Sequence, residues 1–194
     1  MTSIVDGSSG VTTPALIPTG TSIPTNGIYL PSSNNIAIAT NGVKALNIDG
    51  SQIVTLPKQP RFLAKLNGST QSISSGANAT PTYGNVIFDS TSSYNSSTYT
   101  YTAPVAGYYQ FNGRVRLDGF TGSGNYGSLT LQTTGNTYNN IQSSSASYAS
   151  LSISVLTYMA AGDTAYLFAS SVGQTLSIVN TQPVYSDFSG YLVG

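Results

Sequence analysis

Few side chains in this chain of 194 residues could carry out acid–base or nucleophilic chemistry. The chain contains no His and no Cys, and all six acidic residues are Asp. Serine is abundant, for example in Ser143-Ser144-Ser145 and at Ser152, but a serine nucleophile needs an adjacent base. Lys44, Lys58 and Lys65 stand in none of the Ser-x-x-Lys patterns that supply such a base. We therefore predict that serine contributes loop and strand-surface polarity, and we assign no catalytic residue.

Paired carboxylates are the remaining route to hydrolysis, because two positioned Asp residues can cleave a glycosidic bond. The aspartates of this chain are scattered beside Gly or Ser, at positions 6, 49, 89, 118, 163 and 187. There the side chain accepts hydrogen bonds from nearby backbone N–H groups and forms Asx turns. No Asp-rich loop of the kind that binds Ca²⁺ occurs in the sequence. The pattern therefore predicts that the aspartates lie in turns. We predict no bound metal ion and no cofactor.

The low charge of the chain limits its partners. Charged residues make up 6% of the sequence and sum to a net charge of zero, against roughly 25% charged residues in a typical soluble domain. Without a basic run, nothing neutralises phosphates or holds the chain at an anionic bilayer. No stretch of about 18 apolar residues could span a membrane, and the N-terminus lacks the pattern of a signal peptide. We predict cytoplasmic synthesis and no nucleic-acid or membrane partner.

The first 60 residues differ in composition and pattern from the rest of the chain. They carry most of the prolines, which forbid a long helix. Two alternating apolar and polar runs, residues 35–40 and 44–49, flank Asn41-Gly42, which is the strongest short signal for a β-hairpin. An isolated hairpin is marginal in water and must pack on its own copies or on a larger partner. We predict an extended arm over the first 25 residues, a hairpin after it, and an anchoring role for residues 1–60.

Residues 61–194 have the alternating pattern of an all-β domain. Between Tyr108 and Leu117 apolar and polar residues alternate, which is the period of a half-buried strand. Similar alternation occurs over residues 128–131 and 151–155, and turn clusters such as residues 121–125 separate the runs. Several strands at this spacing predict a β-sandwich or jelly roll. The residues predicted to face the core in the longest run are Tyr109, Phe111, Val115 and Leu117.

Five segments of this region resemble, in the same order, the signature of C1q-like domains of the C1q/tumour-necrosis-factor jelly-roll superfamily. The clearest runs from Tyr99 to Phe111 and contains Thr102-Ala103-Pro104, followed by Gly107-x-Tyr109-x-Phe111. The other segments are residues 61–64, residues 86–89 with Tyr94-Asn95, residues 161–167, and residues 188–192. The resemblance covers about residues 61–194 and implies a trimer, while the lack of His, Cys, Glu and clustered Asp predicts that the chain is not an enzyme. The chain departs from animal members in lacking a collagen stem, Cys and a signal peptide.

The resemblance also assigns a set of family-signature core positions. Pro104 lacks an N–H and fits an edge or turn, Gly107 lets the backbone reverse, and Tyr109 and Phe111 fill the space between sheets. Some relatives gather one Asp from each subunit around Ca²⁺ on the three-fold axis, but this sequence offers no Asp-rich loop to carry that site over. The full set is Phe62, Phe88, Pro104, Gly107, Tyr109, Phe111, Gly162, Asp163, Phe188, Gly190 and Tyr191.

Tyrosine is the residue type that best suits a contact surface, and the chain has 14 of them. Loop tyrosines beside Gly, Asn and Ser resemble the composition of binding surfaces, where the ring gives contact area at low entropic cost. Tyrosine at every second position of a trimeric sandwich would instead line the interface between subunits. Both interpretations remain open. The candidates for surface binding of a host glycan or protein are Tyr94, Tyr126, Tyr138 and Tyr148.

The N-terminal region has a resemblance of its own, to virion appendage proteins of tailed bacteriophages. The segments are residues 4–12, Gly27-Ile28-Tyr29-Leu30 and residues 40–48. With the C1q-like region, they favour a trimeric structural virion protein, a fibre or knob on head, neck or tail, made in the host cytoplasm. One alternative is a capsid decoration protein that clamps capsid subunits with residues 1–60. A glycan-degrading enzyme is the third hypothesis.

Overall fold

The computed structural model describes residues 21–122, 124–179 and 186–193. The chain divides into two compact units, Met1–Lys58 and Gln59–Gly194. The regular secondary structure of the described residues consists of β-strands, which form two jelly-roll sheets and one small sheet. This confirms the predicted all-β class. Within the same residues, no helix is long and apolar enough to cross a membrane. Most of the arm predicted for the first 25 residues lies outside the described residues.

The N-terminal unit contains a four-stranded antiparallel sheet, with its strands in chain order. Its central pair is the predicted hairpin. Asn41 and Gly42 form a two-residue loop with φ angles of 51° and 69°, the backbone of a type I′ turn, which matches the twist of the flanking strands. A further strand pairs on each side of this hairpin. The strands are β1 (Gly27–Tyr29), β2 (Ile36–Thr40), β3 (Val43–Ile48) and β4 (Val54–Thr55).

The larger unit is a sandwich of two sheets. One sheet has the order β13-β12-β15-β10-β9, with β7 beside β15; the other has the order β6-β16-β11-β17-β5-β8, with β14 beside β11. The strands are β5 (Arg61–Lys65), β6 (Gln71–Ile73), β7 (Asn78–Ala79), β8 (Asn85–Asp89), β9 (Tyr94–Asn95), β10 (Thr100–Thr102), β11 (Gly107–Asp118), β12 (Tyr126–Thr133), β13 (Thr137–Gln142), β14 (Tyr148–Met159), β15 (Thr164–Val172), β16 (Leu176–Ile178) and β17 (Asp187–Leu192).

Strand β11 has the two faces that its sequence predicts. Tyr109, Phe111, Val115 and Leu117 are buried between the sheets, and the residues between them are half-buried or exposed except Gly113. Strand β12 differs, because both of its faces are buried. On its outer side, Thr130 Oγ1 lies 3.1 Å from Asn139 Oδ1 of β13, so the neighbouring strand satisfies a hydroxyl that alternation alone places in solvent.

The core is an aromatic cluster centred on Phe62. The ring of Phe62 stacks on Tyr94 at 4.8 Å and on Tyr101 at 4.7 Å, and it meets Phe188 edge-on at 5.0 Å. Phe111 packs against Phe188 with ring centroids 6.0 Å apart. Such pairs stabilise a core by about 0.5–1.5 kcal/mol beyond the burial of their area.

The signature positions divide into two groups. Phe62, Gly107, Tyr109, Phe111, Phe188 and Gly190 lie buried, whereas Pro104 and Gly162 are exposed in turns and Asp163 is half-buried. Phe88 and Tyr191 are not core residues, because their side chains remain 46% and 47% exposed. Phe88 pairs with Leu63 across the sheet, and both point away from the sandwich interior. The prediction that these two rings fill the core is therefore wrong.

Tyr94 also differs from its prediction as a surface residue. Its ring is buried against Phe62, and its hydroxyl donates to the backbone oxygen of Tyr83 at 3.0 Å. Burial raises the pKa of Tyr94, Tyr83 and Tyr101, so these hydroxyls stay protonated inside the fold, and those of Tyr94 and Tyr83 donate to backbone oxygens. Tyr94 thus belongs to the core.

The aspartates near loops behave as the sequence predicts. Asp49 Oδ1 accepts from the backbone N of Ser51 at 2.8 Å and of Ile53 at 3.0 Å. Asp89 accepts from Thr91 and Tyr94, and Asp163 accepts from the backbone N of Ala160 at 2.8 Å. Each carboxylate satisfies N–H groups that its turn leaves without a ladder partner. Their role is local.

Candidate self-association face

The outward side of the larger sheet carries an unusual number of apolar rings. Cross-strand partners share a side of the sheet, so Tyr108 faces outward beside Tyr158 of β14, and Gln110 lies between Leu156 and Tyr191. The side chains of these four apolar residues are 47–56% exposed. We name this surface the aromatic face; it comprises Leu63, Phe88, Tyr108, Leu156, Tyr158 and Tyr191.

The aromatic face is shaped as well as apolar. Tyr108 and Tyr158 meet edge to face with centroids 5.5 Å apart, an arrangement that aromatic pairs favour. Beside them, a cleft of about 350 Å³ opens over β5, β8 and β17, and its walls include Leu63, Phe88 and Tyr191. A partner surface therefore meets preformed rings and a groove that can accept an inserted side chain.

A polar row crosses the middle of this surface. Gln110 donates through Nε2 to Ser154 Oγ at 3.0 Å, and Ser154 Oγ donates to Asn112 Oδ1 at 2.9 Å. Buried polar groups destabilise an interface when they lose water without gaining partners. Because this row already satisfies part of its own hydrogen-bonding capacity, covering it with another subunit carries a smaller desolvation cost.

The far end of the same surface is charged. Arg114 forms an ion pair with Asp187, and this bonding raises the pKa of the guanidinium. Arg116 binds Asp118 through two hydrogen bonds, of 2.7 and 3.0 Å, and its guanidinium lies 4.4 Å from the ring centre of Tyr148. Both carboxylates are therefore engaged by arginine.

The remaining predicted binding tyrosines do not form one site. Tyr126 is exposed on the outer side of the six-stranded sheet, while Tyr148 is exposed on the other sheet beside Arg116. Tyr138 is half-buried, and its hydroxyl donates to Thr157 Oγ1 at 3.0 Å. Among the described residues, no three Asp side chains lie close enough together to hold a metal ion.

Sequence reasoning missed Leu156 and Tyr158 as members of the candidate surface. The outward positions of β14 read Ser150, Ser152 and Ser154 before they become apolar, so the change in polarity was visible along the strand. The sequence does not reveal that these apolar residues join a larger surface, since only the pairing of Tyr158 with Tyr108 brings the apolar ends of β14 and β11 together. Such pairing depends on strands far apart in sequence.

The two sheets and their strand order form a jelly roll of the C1q/tumour-necrosis-factor type. Residues 62–193 match the model of the C1q domain family, and the chain belongs to that family. Domains of this family typically form homotrimers and are generally non-enzymatic. A search of curated protein sequences finds no significant match.

Solved structures with the same fold include the globular domain of zebrafish complement 1qA protein and murine APRIL. The zebrafish domain is 17% identical with a TM-score of 0.52, and the match covers 70% of this chain and 98% of the other. Murine APRIL at pH 5.0 is 13% identical with a TM-score of 0.52, covering 70% of this chain and 100% of the other. At these identities the likeness concerns the fold.

Proposed function

We propose that this chain is a non-enzymatic structural protein of a phage particle, which assembles as a homotrimer through the aromatic face of its C1q domain. The proposal of a trimer rests mainly on the half-exposed side chains of the aromatic face, since domains with this fold typically form homotrimers. Large exposed apolar patches on soluble proteins mark contact sites. Burying such a side chain fully is favourable by about 1.5–3 kcal/mol, and three copies close the surface without leaving an open end.

The trimer can be tested with a charge placed in the aromatic face. The full chain should sediment as a trimer at micromolar concentration, whereas Leu156→Asp should weaken association by about 100-fold or more, because it desolvates a carboxylate among rings. Analytical ultracentrifugation over a concentration series measures both values.

Val172→Asp is the matched control for this variant. Val172 is also an outward, partly exposed strand residue, but it lies on the other sheet, beside Tyr126. The Val172→Asp variant should therefore sediment as a trimer, as the wild-type chain does. A wild-type chain that remains monomeric, or a Leu156→Asp variant that associates as tightly as wild type, would contradict the proposed interface.

The particle role rests on the N-terminal segments that resemble phage appendage proteins and on the separate N-terminal unit. In this proposal, residues 1–60 bind other virion proteins, and the C1q knob projects from head, neck or tail. Tyr126 and Tyr148 are exposed in the single chain and are the candidate contacts for a host glycan or protein. A decoration protein that clamps capsid subunits uses the same N-terminal unit without a receptor. The enzyme hypothesis gains no support, since Arg114 and Arg116 engage two of the carboxylates.

Purified particles distinguish the fibre from the decoration protein. We expect the wild-type chain to be incorporated and a chain lacking residues 1–58 to be absent, because that deletion removes the whole N-terminal unit. A quantitative stained gel gives the copy number, where a few copies per particle indicate a fibre and hundreds indicate decoration. Normal incorporation of the shortened chain would refute anchoring by the N-terminal unit.

A further inference from the structure

The N-terminal sheet has one face made almost wholly of aliphatic side chains. Cross-strand partners in an antiparallel sheet point to the same side, and the register aligns branched apolar residues across all four strands. We name this surface the aliphatic face; it comprises Ile28, Ile36, Ile38, Leu46, Ile48 and Val54.

The aliphatic face is exposed in the single chain. Ile28, Ile36, Ile38 and Val54 keep 39–58% of their surface accessible, which amounts to an apolar patch on the order of 300 Å² or more, the size at which patches usually mark contacts. The nearest paired polar residue on this side is Thr40, at the end of the hairpin. No charged residue occupies a paired position on it.

The opposite side of the same sheet is different in character. Tyr29, Ala37 and Ala39 are buried there, and Lys44 shares that side because it pairs with Ala39. Lys44 donates from Nζ to Asn47 Oδ1 at 3.3 Å. The sheet therefore keeps its buried residues and its one charged strand residue on one side, and exposes its aliphatic residues on the other.

The chain that joins the two units is short. Strand β4 ends at Thr55, while Gln59 is already fixed to the C1q domain, since its Nε2 donates to the backbone oxygen of Leu192 at 2.8 Å. Pro60 accepts from the backbone N of Leu192 at 2.9 Å. The three residues between span at most about 13 Å. In a trimer of C1q domains, short links hold the three sheets at an effective concentration of roughly millimolar.

We propose that the aliphatic faces of the three chains pack against one another, as a second trimer contact beside that of the C1q domains. This inference rests on the proposed trimer. Three identical, uncharged faces on short links are each other's nearest apolar partners, and packed sheets lie about 10 Å apart with interdigitated side chains. The contact forms a three-sided prism with a dry interior, and it depends on the C1q trimer to bring the sheets together.

Thiol protection tests this contact directly, because the chain contains no Cys of its own. Ile38→Cys places a thiol in the aliphatic face, and Thr55→Cys places a control thiol on the opposite side of the same sheet, since Thr55 pairs with Asn47. In the full-length trimer, we expect a maleimide to modify the Ile38→Cys thiol at least ten-fold more slowly than the Thr55→Cys thiol. Adding Leu156→Asp, or Tyr158→Asp as a second dissociating variant, should restore the rate.

Each outcome has one meaning once the mass of the protein is measured in parallel. A trimer in which both thiols react equally fast overturns the aliphatic contact alone. Protection that persists in the dissociated chain also overturns it, and assigns the cover to another part of the same chain. A wild-type chain of monomeric mass counts instead against the proposed trimer.

Discussion

Phe111→Ala should lower the free energy of unfolding by about 3–5 kcal/mol, the usual cost of removing a buried ring. Phe111 is 1% exposed, and its ring packs against Tyr101 at 5.8 Å, Tyr109 at 6.1 Å and Phe188 at 6.0 Å. Replacement by Ala leaves a cavity between sheets that the surrounding rings can only partly fill. Equilibrium denaturation at one fixed protein concentration measures the change, because the stability of an oligomer depends on concentration.

Tyr126→Ala is the control for this loss of an aromatic ring. Tyr126 is 36% exposed at the start of β12, so its truncation should cost less than about 1 kcal/mol. Equal losses for the two variants, or an unchanged denaturation midpoint for Phe111→Ala, would mean that the inward face of β11 has been misassigned.

Gly190→Ala should destabilise the fold by about 1–3 kcal/mol, through overpacking of the core. A Cβ at this position would lie 2.6 and 2.7 Å from two ring atoms of Phe111 and 2.9 Å from Phe62. Both rings are buried and stacked, and neither can rotate away into solvent. Glycine is required here by space, because β17 passes directly beneath the aromatic cluster.

Two further variants isolate this steric cause. Gly135→Ala adds a methyl group to an exposed turn with no atom within 4 Å of the new Cβ, and it should change stability by no more than about 0.5 kcal/mol. Combining Gly190→Ala with Phe111→Leu should recover part of the loss, giving a coupling energy of about 1 kcal/mol or more in a double-mutant cycle. Strictly additive losses would show that the clash with Phe111 is not the cause.

The sequence predicts those features that depend on local pattern. The two faces of β11 follow from alternation over ten residues, and the hairpin at Asn41-Gly42 follows from a turn that demands positive φ angles. The C1q resemblance supplies the kind of jelly roll, which no local pattern contains. These signals together are sufficient for the fold class.

The outward orientation of Phe88 could not be predicted in the same way. It closes the apolar run Val86-Ile87-Phe88, in which alternation gives no direction, and an irregularity between Leu63 and Ala64 shifts its register. Tyr94 shows the opposite error, since its polar loop neighbours suggest exposure while its ring stacks on Phe62. Both outcomes depend on contacts between residues 25 or more positions apart, which composition and period do not encode.

The central position of β17 in its sheet also affects when the domain can fold during translation. Its strand lies between β5 and β11, so neither neighbour can complete its backbone hydrogen bonds until the ribosome has synthesised the residues from Asp187 onward. About 120 residues separate β5 from β17, which at 5–20 residues per second leaves the nascent β5 without this partner for roughly 6–25 s. Folding of the sandwich therefore waits until β17 has been synthesised, and the apolar strands made before it stay without their partner for the longest time.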